Sequence, residues 1–271
     1  MKSDANGKVY LVGAGPGDPE LLTLKAVRAL GEADVILIDD LVNNAVLSHA
    51  REGTRIVQVG KRGGCPSTSQ AFIERLMIKE ALAGNVVVRL KGGDPFMFGR
   101  GGEEQATLMR EGIDVEVAHG ITSGIAAPAR LGIAVTDRTA SQGAIFVTGH
   151  GKDGSDPDWA ALAKTGLTLV IYMGIARVAH IQQALIAGGL PPDTPAAAIQ
   201  DACLPNERAL TTSLANLANE LHAHKIGSPA ILVVGQVVAN AHRRCDRMRR
   251  QREASAMAGA ECRDPAALKV R

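Results

Sequence analysis

Residues 86–104 read VVVRLKGGDPFMFGRGGEE, and this stretch decides the fold. Val86–Leu90 is apolar except for Arg89, as expected of a strand covered on both faces. Two glycines and Asp94-Pro95 end it, and the pattern then predicts a helix from about Gly102 to Glu111. A buried strand that passes through a glycine-rich loop into a helix is the repeating step of an α/β protein.

The same step recurs on both sides. Upstream, Val9–Val12 is a strand that ends in Gly13-Ala14-Gly15-Pro16-Gly17-Asp18. Asp18 suits an N-cap and Pro19 the first helical position, which predicts a helix to about Leu30. Asp34–Ile38 and Arg55–Val59 are further strands, with a short helix over Ala45–Ala50 between them. Ser67-Thr68-Ser69-Gln70 reads as a capping box for a helix through Leu82. Downstream, Val115–Val117 is a strand, and Thr122 caps a helix of small residues to about Leu131. Alternation this regular implies a mainly parallel sheet with helices on both faces.

Residues 133–143 lose all periodicity and read as a linker. Beyond it, strands over Ala144–Val147, Leu167–Tyr172, Ala196–Ile199, Ala209–Thr212 and Ala230–Val234 alternate with helices after Asp156-Pro157, over Ile175–Gly188 and over Leu214–His224. The expected architecture is α/β: two αβα domains, 7–132 and 144–242, with mainly parallel or mixed sheets. A ligand would lie in the cleft between them.

Composition narrows the function. The formal charge of +2 is uneven, because the segment from Arg243 to Arg271 holds nine Lys or Arg against four Asp or Glu. The basic character therefore belongs to a tail, 243–271, expected to be disordered, and no nucleic-acid-binding face is expected on the body. Cys65, Cys203, Cys245 and Cys262 are scattered without metal-ligand spacing, so neither a metal site nor a disulfide framework is expected. With no signal peptide and no apolar run long enough to span a bilayer, a cytoplasmic protein without membrane association is expected.

The motifs divide by specificity. Gly13-Ala14-Gly15-Pro16-Gly17-Asp18 invites a dinucleotide-binding reading, but Asp18 stands where the fingerprint needs Gly or Ala. An acid there would repel a pyrophosphate. The 91–104 loop is more telling, since Gly92 and Gly93 allow a ligand to approach the backbone and Asp94 adds a carboxylate. Arg100 and Glu103 can share one helix face, either as a surface ion pair or as ligand contacts. Gly60-Lys61-Arg62-Gly63-Gly64 suits a polyanionic ligand or a solvated turn. Met173, at a strand end, could be core or could pack on a ligand ring.

Together, VGAGPGDPELLTL (12–24), VGKR (59–62), VRLKGGDPFMFGRGGEE (88–104), GITS (120–123), TGH (148–150) and YMG (172–174) resemble the tetrapyrrole methylase family, from about Gly7 to Val238. VGKR with FGRGGEE is similar to the branch that methylates uroporphyrinogen III at C2 and C7 to give precorrin-2, in the single-function form. The resemblance implies the tetrapyrrole methylase fold, a homodimer, a small-molecule tetrapyrrole substrate and S-adenosyl-methionine as cosubstrate without a metal. It implies methyl-donor contacts from Pro16, Gly92, Gly93, Asp94, Met97, Thr122, Ser123, Met173 and Ala202. It assigns Asp39 as proton acceptor, Lys61 as proton donor, and Arg100 and Glu103 to the tetrapyrrole. The chain departs from the family's usual residues at Ile38 and Asp40, commonly Tyr and Arg, at His119, commonly Pro, and at Asp137, commonly His. The competing expectations are a later precorrin methyltransferase, a nicotinamide-dependent dehydrogenase and a non-catalytic tetrapyrrole carrier.

Overall fold

A computed structural model describes residues 7–60, 69–151 and 154–241. The Lys61 loop, the first half of the predicted capping box and the basic tail lie outside the described residues. Close contacts divide the described residues into two units, the first built from those up to 127 with 199–208 and 227–231, the second from those in 128–198, 209–226 and 232–241.

The first unit holds a parallel sheet of β1 (Lys8–Gly13), β2 (Val35–Ile38), β3 (Arg55–Gln58), β4 (Val87–Lys91) and β5 (Asp114–Ala118), in the order β3-β2-β4-β1-β5. Side chains alternate between faces along each strand. Tyr10 and Val12, Ile36 and Ile38, and Val88 and Leu90 point to one face, where Ala26, Ala29 and Leu30 of α1 (Leu24–Glu32) cover them. Val9 and Leu11, Val35 and Leu37, and Val87 point to the other. There Ile73 and Met77 of α2 (Gln70–Leu82) and Leu108 of α3 (Gly101–Arg110) close the core. A fourth helix, α4 (Ser123–Arg130), follows β5. The expected sheet with helices on both faces is thus present.

The helix expected from Pro19 to Leu30 is broken. Asp18 caps only a 3-10 turn, Pro19–Leu21, by accepting from Glu20 N at 2.9 Å. Leu22 is extended, with φ −65° and ψ 142°, and Thr23 caps α1 through Ala26 N at 3.2 Å. The competing cap won because Thr23 sits directly before the residues that face the sheet. Likewise, the predicted helix over Ala45–Ala50 is a 3-10 segment, Asn44–His49, and short 3-10 segments precede the two later helices.

The second sheet has β6 (Ala144–Thr148), β7 (Thr168–Tyr172), β8 (Pro195–Gln200), β9 (Arg208–Ser213) and β10 (Ala230–Val234), in the order β6-β7-β10-β8-β9. It is mixed, since β6 and β7 are parallel whereas β7 and β10 are antiparallel. This half also holds the helices α5 (Trp159–Ala163), α6 (Val178–Ala187) and α7 (Leu217–Ala223). Their residues Trp159, Ile181, Leu185 and Leu221 pack with Leu169, Ile171 and Leu232 of the sheet. In the linker segment, Asp137 and Ser141 exchange two backbone hydrogen bonds of 2.8 Å each. The Asp137 carboxylate accepts from Thr139 N and Oγ1 at 2.9 and 2.6 Å, so this departure from the family pattern serves a local turn.

Candidate active site

The loops after β1, β4 and β5 meet at backbone distance, which only glycine permits. Ala14 N donates to Lys91 O at 2.8 Å, and Gly15 and Gly93 exchange hydrogen bonds of 3.2 and 2.7 Å. A Cβ on Gly13 would lie 2.5 Å from Gly93 O and 2.6 Å from Gly120 N, and one on Gly120 would collide with Gly93 O. Gly93 itself has φ +65°, and on its open side lie Thr122 Cα at 3.7 Å and Ser123 N at 3.8 Å from where a Cβ would be. Three of the expected donor contacts, Gly93, Thr122 and Ser123, are therefore brought together at the carboxyl end of a parallel sheet, where ligands of open α/β folds bind.

Asp94 staples this junction. Its Oδ1 accepts from Phe96 N at 2.8 Å, and its Oδ2 accepts from Gly120 N at 3.1 Å and lies 3.0 Å from His119 Nδ1. His119, a departure from the family pattern, thus adds a partner to the β4–β5 staple. Across the first loop, the space a Cβ of Gly17 would fill is closed by Leu204 Cδ2 at 2.8 Å and Ala202 O at 3.4 Å. Ala202 therefore stands beside the Pro16-Gly17 turn, with Pro16 half-buried. Gly92 faces Leu41, and Met97 is half-buried, its N–H donating to Asp94 O at 3.3 Å. Gly17 opens no helix, which removes the anion site a dinucleotide reading requires.

Beneath the β2 and β4 ends lies a buried ionic cluster. Strand alternation puts Val87, Arg89 and Lys91 on the face covered by α2 and α3, and the register pairs Leu37 with Arg89 and Ile38 with Leu90. Asp39, one step further, therefore falls beside Lys91 on that same face. Arg89 is 2% exposed; it donates from Nη2 to Asp39 Oδ1 at 2.7 Å and from Nε to Glu104 Oε1 at 3.1 Å. Lys91 Nζ lies 3.2 Å from Glu104 Oε2 and 3.8 Å from Asp39 Oδ2. Gln70 Nε2 donates to Glu104 Oε1 at 3.0 Å. Glu104 is fully buried, whereas the Asp39 side chain is 29% exposed and is the group that brings the cluster to the surface. Burial pushes the Lys91 ammonium below its usual range; Arg89 adds to that, while Glu104 and Asp39 pull the other way.

The remaining expected residues are placed as follows. Arg100, in the left-handed conformation at φ +59°, precedes the first turn of α3. Its guanidinium grips Glu103 at 2.7 and 3.2 Å on an exposed face, and that pair holds the Arg100 charge above its ordinary range. Met173 ends β7 with φ +53° and is 47% exposed, so it is not a core residue. Asp40 is exposed beside the backbone of Gly60. Lys61 lies outside the described residues. Sequence reasoning missed Lys91, Glu104 and Gln70 as a set. The signal was present in the two cations, 89 and 91, that alternate with Val88 and Leu90 on one face of a buried strand. Among the described residues, no group of three or more His, Cys, Asp or Glu could hold a metal ion, and no helix is long and apolar enough to cross a membrane.

Comparison with known proteins gives this geometry its context. Residues 8–218 match the family model described as Tetrapyrrole (Corrin/Porphyrin) Methylases. The uroporphyrinogen-III C-methyltransferase of Pseudomonas aeruginosa is 55% identical over 232 residues, covering 86% of this chain and 94% of that one. A solved structure of uroporphyrin-III C-methyltransferase from Thermus thermophilus, complexed with S-adenyl homocysteine, superposes with a TM-score of 0.74 at 42% identity, covering 86% of this chain and 93% of that one. A cobalt precorrin-4 methyltransferase superposes at 0.78 with 28% identity, covering 85% of this chain and 95% of that one.

Proposed function

This chain belongs to the tetrapyrrole (corrin/porphyrin) methylase family, and on that premise we propose that it transfers methyl groups from S-adenosyl-methionine to C2 and C7 of uroporphyrinogen III, giving precorrin-2. Identity of 55% to a uroporphyrinogen-III C-methyltransferase, against 28% to a cobalt precorrin-4 methyltransferase, favours this substrate over a later precorrin. The structural observation that supports the reading is the bare Gly93 backbone at the carboxyl end of the parallel sheet, with Thr122 Cα and Ser123 N 3.7 and 3.8 Å from where its Cβ would be. In this reading the methyl donor lies against that backbone, and when bound it would supply an electrophilic sulfonium methyl.

In this reading, Pro16, Gly92, Gly93, Asp94, Met97, Thr122, Ser123, Met173 and Ala202 hold the donor. Their contribution is orientation, which dominates the barrier to an in-line transfer. Arg100 exchanges Glu103 for a substrate carboxylate, because its planar fork matches that group. Asp39 accepts the proton that the methylated pyrrole carbon loses, and Lys61 donates one. The protein works in the cytoplasm as a homodimer, feeding siroheme- and cobalamin-type synthesis.

The decisive experiment is incubation with uroporphyrinogen III and S-adenosyl-methionine, read by product mass and absorption. A product heavier by two methyl groups is expected. Absence of methylated product, or tight calorimetric binding of NAD in place of S-adenosyl-homocysteine, would overturn the reading.

A further inference from the structure

A protein core gains little from two cations and a carboxylate. Desolvating such groups costs about as much as their attraction returns, so apolar side chains of the same volume would serve stability as well. Yet Arg89, Lys91 and Glu104 are all essentially buried, and the two cations each lie between Glu104 and Asp39, which alone of the four ionic side chains is substantially exposed. The four charges sum to zero only while Asp39 is ionised. Each face around Asp39 contributes a known group: Arg89 and Lys91 from β4, Glu104 from α3 behind them, and uncharged Gln70 from α2. On its own segment Asp40 is exposed beside Gly60, and Lys61 and Arg62 beyond β3 lie outside the described residues.

We propose that Glu104 and Lys91 are positioning residues of the methyl transfer: without touching substrate, they set the orientation and charge of the Asp39 carboxylate through the Arg89 guanidinium that bridges Asp39 and Glu104. The bridge is one planar group with Nη2 on Asp39 and Nε on Glu104, so rotation of Glu104 is transmitted directly to Asp39. Glu104 also offsets one of the two cations that would otherwise both act on Asp39. Burial and Arg89 push Lys91 below its ordinary range, and Glu104 and Asp39 oppose that, so the ammonium is held between the two carboxylates. The inference rests on the functional reading above, and specifically on Asp39 as proton acceptor.

The test is the single-turnover rate against pH for the wild type, Lys91→Met, Glu104→Gln and the double variant. Removing the Lys91 cation, which lies 3.8 Å from Asp39, should move the acid limb of the profile to higher pH. Removing the Glu104 anion should move it the opposite way, to lower pH. The double variant, which restores neutrality, should return close to the wild-type limb. Affinity for S-adenosyl-homocysteine should stay unchanged throughout. Lys91→Met alone decides the matter if Glu104→Gln does not fold, because its chain keeps Arg89 between two carboxylates. Variants that lose rate uniformly with an unmoved acid limb would show a merely structural cluster and overturn the proposal. No turnover in the wild type would instead overturn the functional reading, so the two failures are distinguishable.

Discussion

Arg89 Nη2 and Asp39 Oδ1 meet at 2.7 Å, joining the most deeply buried cation of the first sheet to a partly exposed carboxylate at its carboxyl end. The pair does not stand alone, since the same guanidinium donates to the fully buried Glu104. Removing it leaves Glu104 dependent on Lys91 and Gln70. Arg89→Met should therefore cost about 3–5 kcal/mol, the usual penalty for breaking a buried pair from one side. Urea denaturation provides the measurement. A loss below about 1 kcal/mol would mean that the cluster relaxes or admits water.

Gly120→Ala and Gly93→Ala separate packing from conformation. A Cβ on Gly120 would collide with Gly93 O and lie 2.8 Å from Gly13 C, so the three-loop junction must open. At Gly93 a Cβ would meet only ordinary contacts, the nearest atom being Thr122 Cα at 3.7 Å, but φ is +65°. That conformation costs an alanine about 1–2 kcal/mol. Gly120→Ala should lower the melting temperature more than Gly93→Ala. Gly93→Ala should still weaken S-adenosyl-homocysteine binding, because its methyl would enter the proposed donor cradle. Unchanged donor affinity in Gly93→Ala would place the donor elsewhere.

The first sheet was largely legible because its strands are buried on both faces and its loops carry glycine where strands end. Val9–Val12, Asp34–Ile38 and Val86–Leu90 each fall within a residue or so of the observed strands at their ends. The break between Leu21 and Leu24 was not legible, since Asp18 and Thr23 are both competent caps and only packing chooses. The antiparallel pairing of β10 with β7 depends on long-range topology that local periodicity does not encode. In the site, the glycines at the strand ends were legible, but the meeting of the Gly13, Gly93 and Gly120 loops was not, because it is a tertiary contact. Arg89 and Lys91 could be placed on one strand face, but their meeting with Glu104 could not, because it requires the face on which α3 packs.

An acid-stability signature belongs to Glu116 on β5. Lys25 Nζ at 2.8 Å and then Lys8 Nζ at 2.5 Å hold its carboxyl down at about 2, against an ordinary 4.5. A depressed carboxylate stabilises the fold above its unfolded value, and that contribution is lost as pH falls from 4.5 towards 2. Lys8 is raised by the same pairing, so its share is present below its ordinary 10.5 and is lost as pH rises through the folded value. The melting-temperature gap between wild type and Glu116→Gln should hold near neutrality and close as pH falls through that acid window. Added salt should narrow it, since the groups are partly exposed to solvent. A gap independent of both pH and salt would refute the electrostatic account.

Arg100 and Glu103 form an exposed pair, so Glu103→Gln should change stability by no more than about 1 kcal/mol. Arg100→Lys keeps the charge and loses the bidentate fork. If Arg100 clamps a substrate carboxylate, that exchange should weaken tetrapyrrole binding by about 1–3 kcal/mol while leaving donor affinity intact. Titration calorimetry with each ligand separates the two effects. Equal loss for both ligands would make Arg100 a general support of the loop.

Asp39 and Asp40 are neighbours in sequence with opposite surroundings, which makes them each other's control. Asp39 is gripped by Arg89 and faces Lys91, whereas Asp40 is exposed beside Gly60 and no hydrogen bond or ion pair to it is seen among the described residues. Asn in place of Asp39 keeps shape and an acceptor for Arg89 but cannot take up a proton. Asp39→Asn should therefore leave both ligand affinities nearly unchanged and lower the single-turnover rate by about 10²–10⁴-fold, the usual share of a general base. Asp40→Asn should retain the chemical step, because among the described residues no hydrogen bond or ion pair fixes that carboxylate. The reverse result, with Asp40→Asn losing the step and Asp39→Asn keeping it, would show that the Arg89 grip restrains Asp39 in a structural role. The proton acceptor would then be the exposed carboxylate at the mouth of the β2–β3 loops.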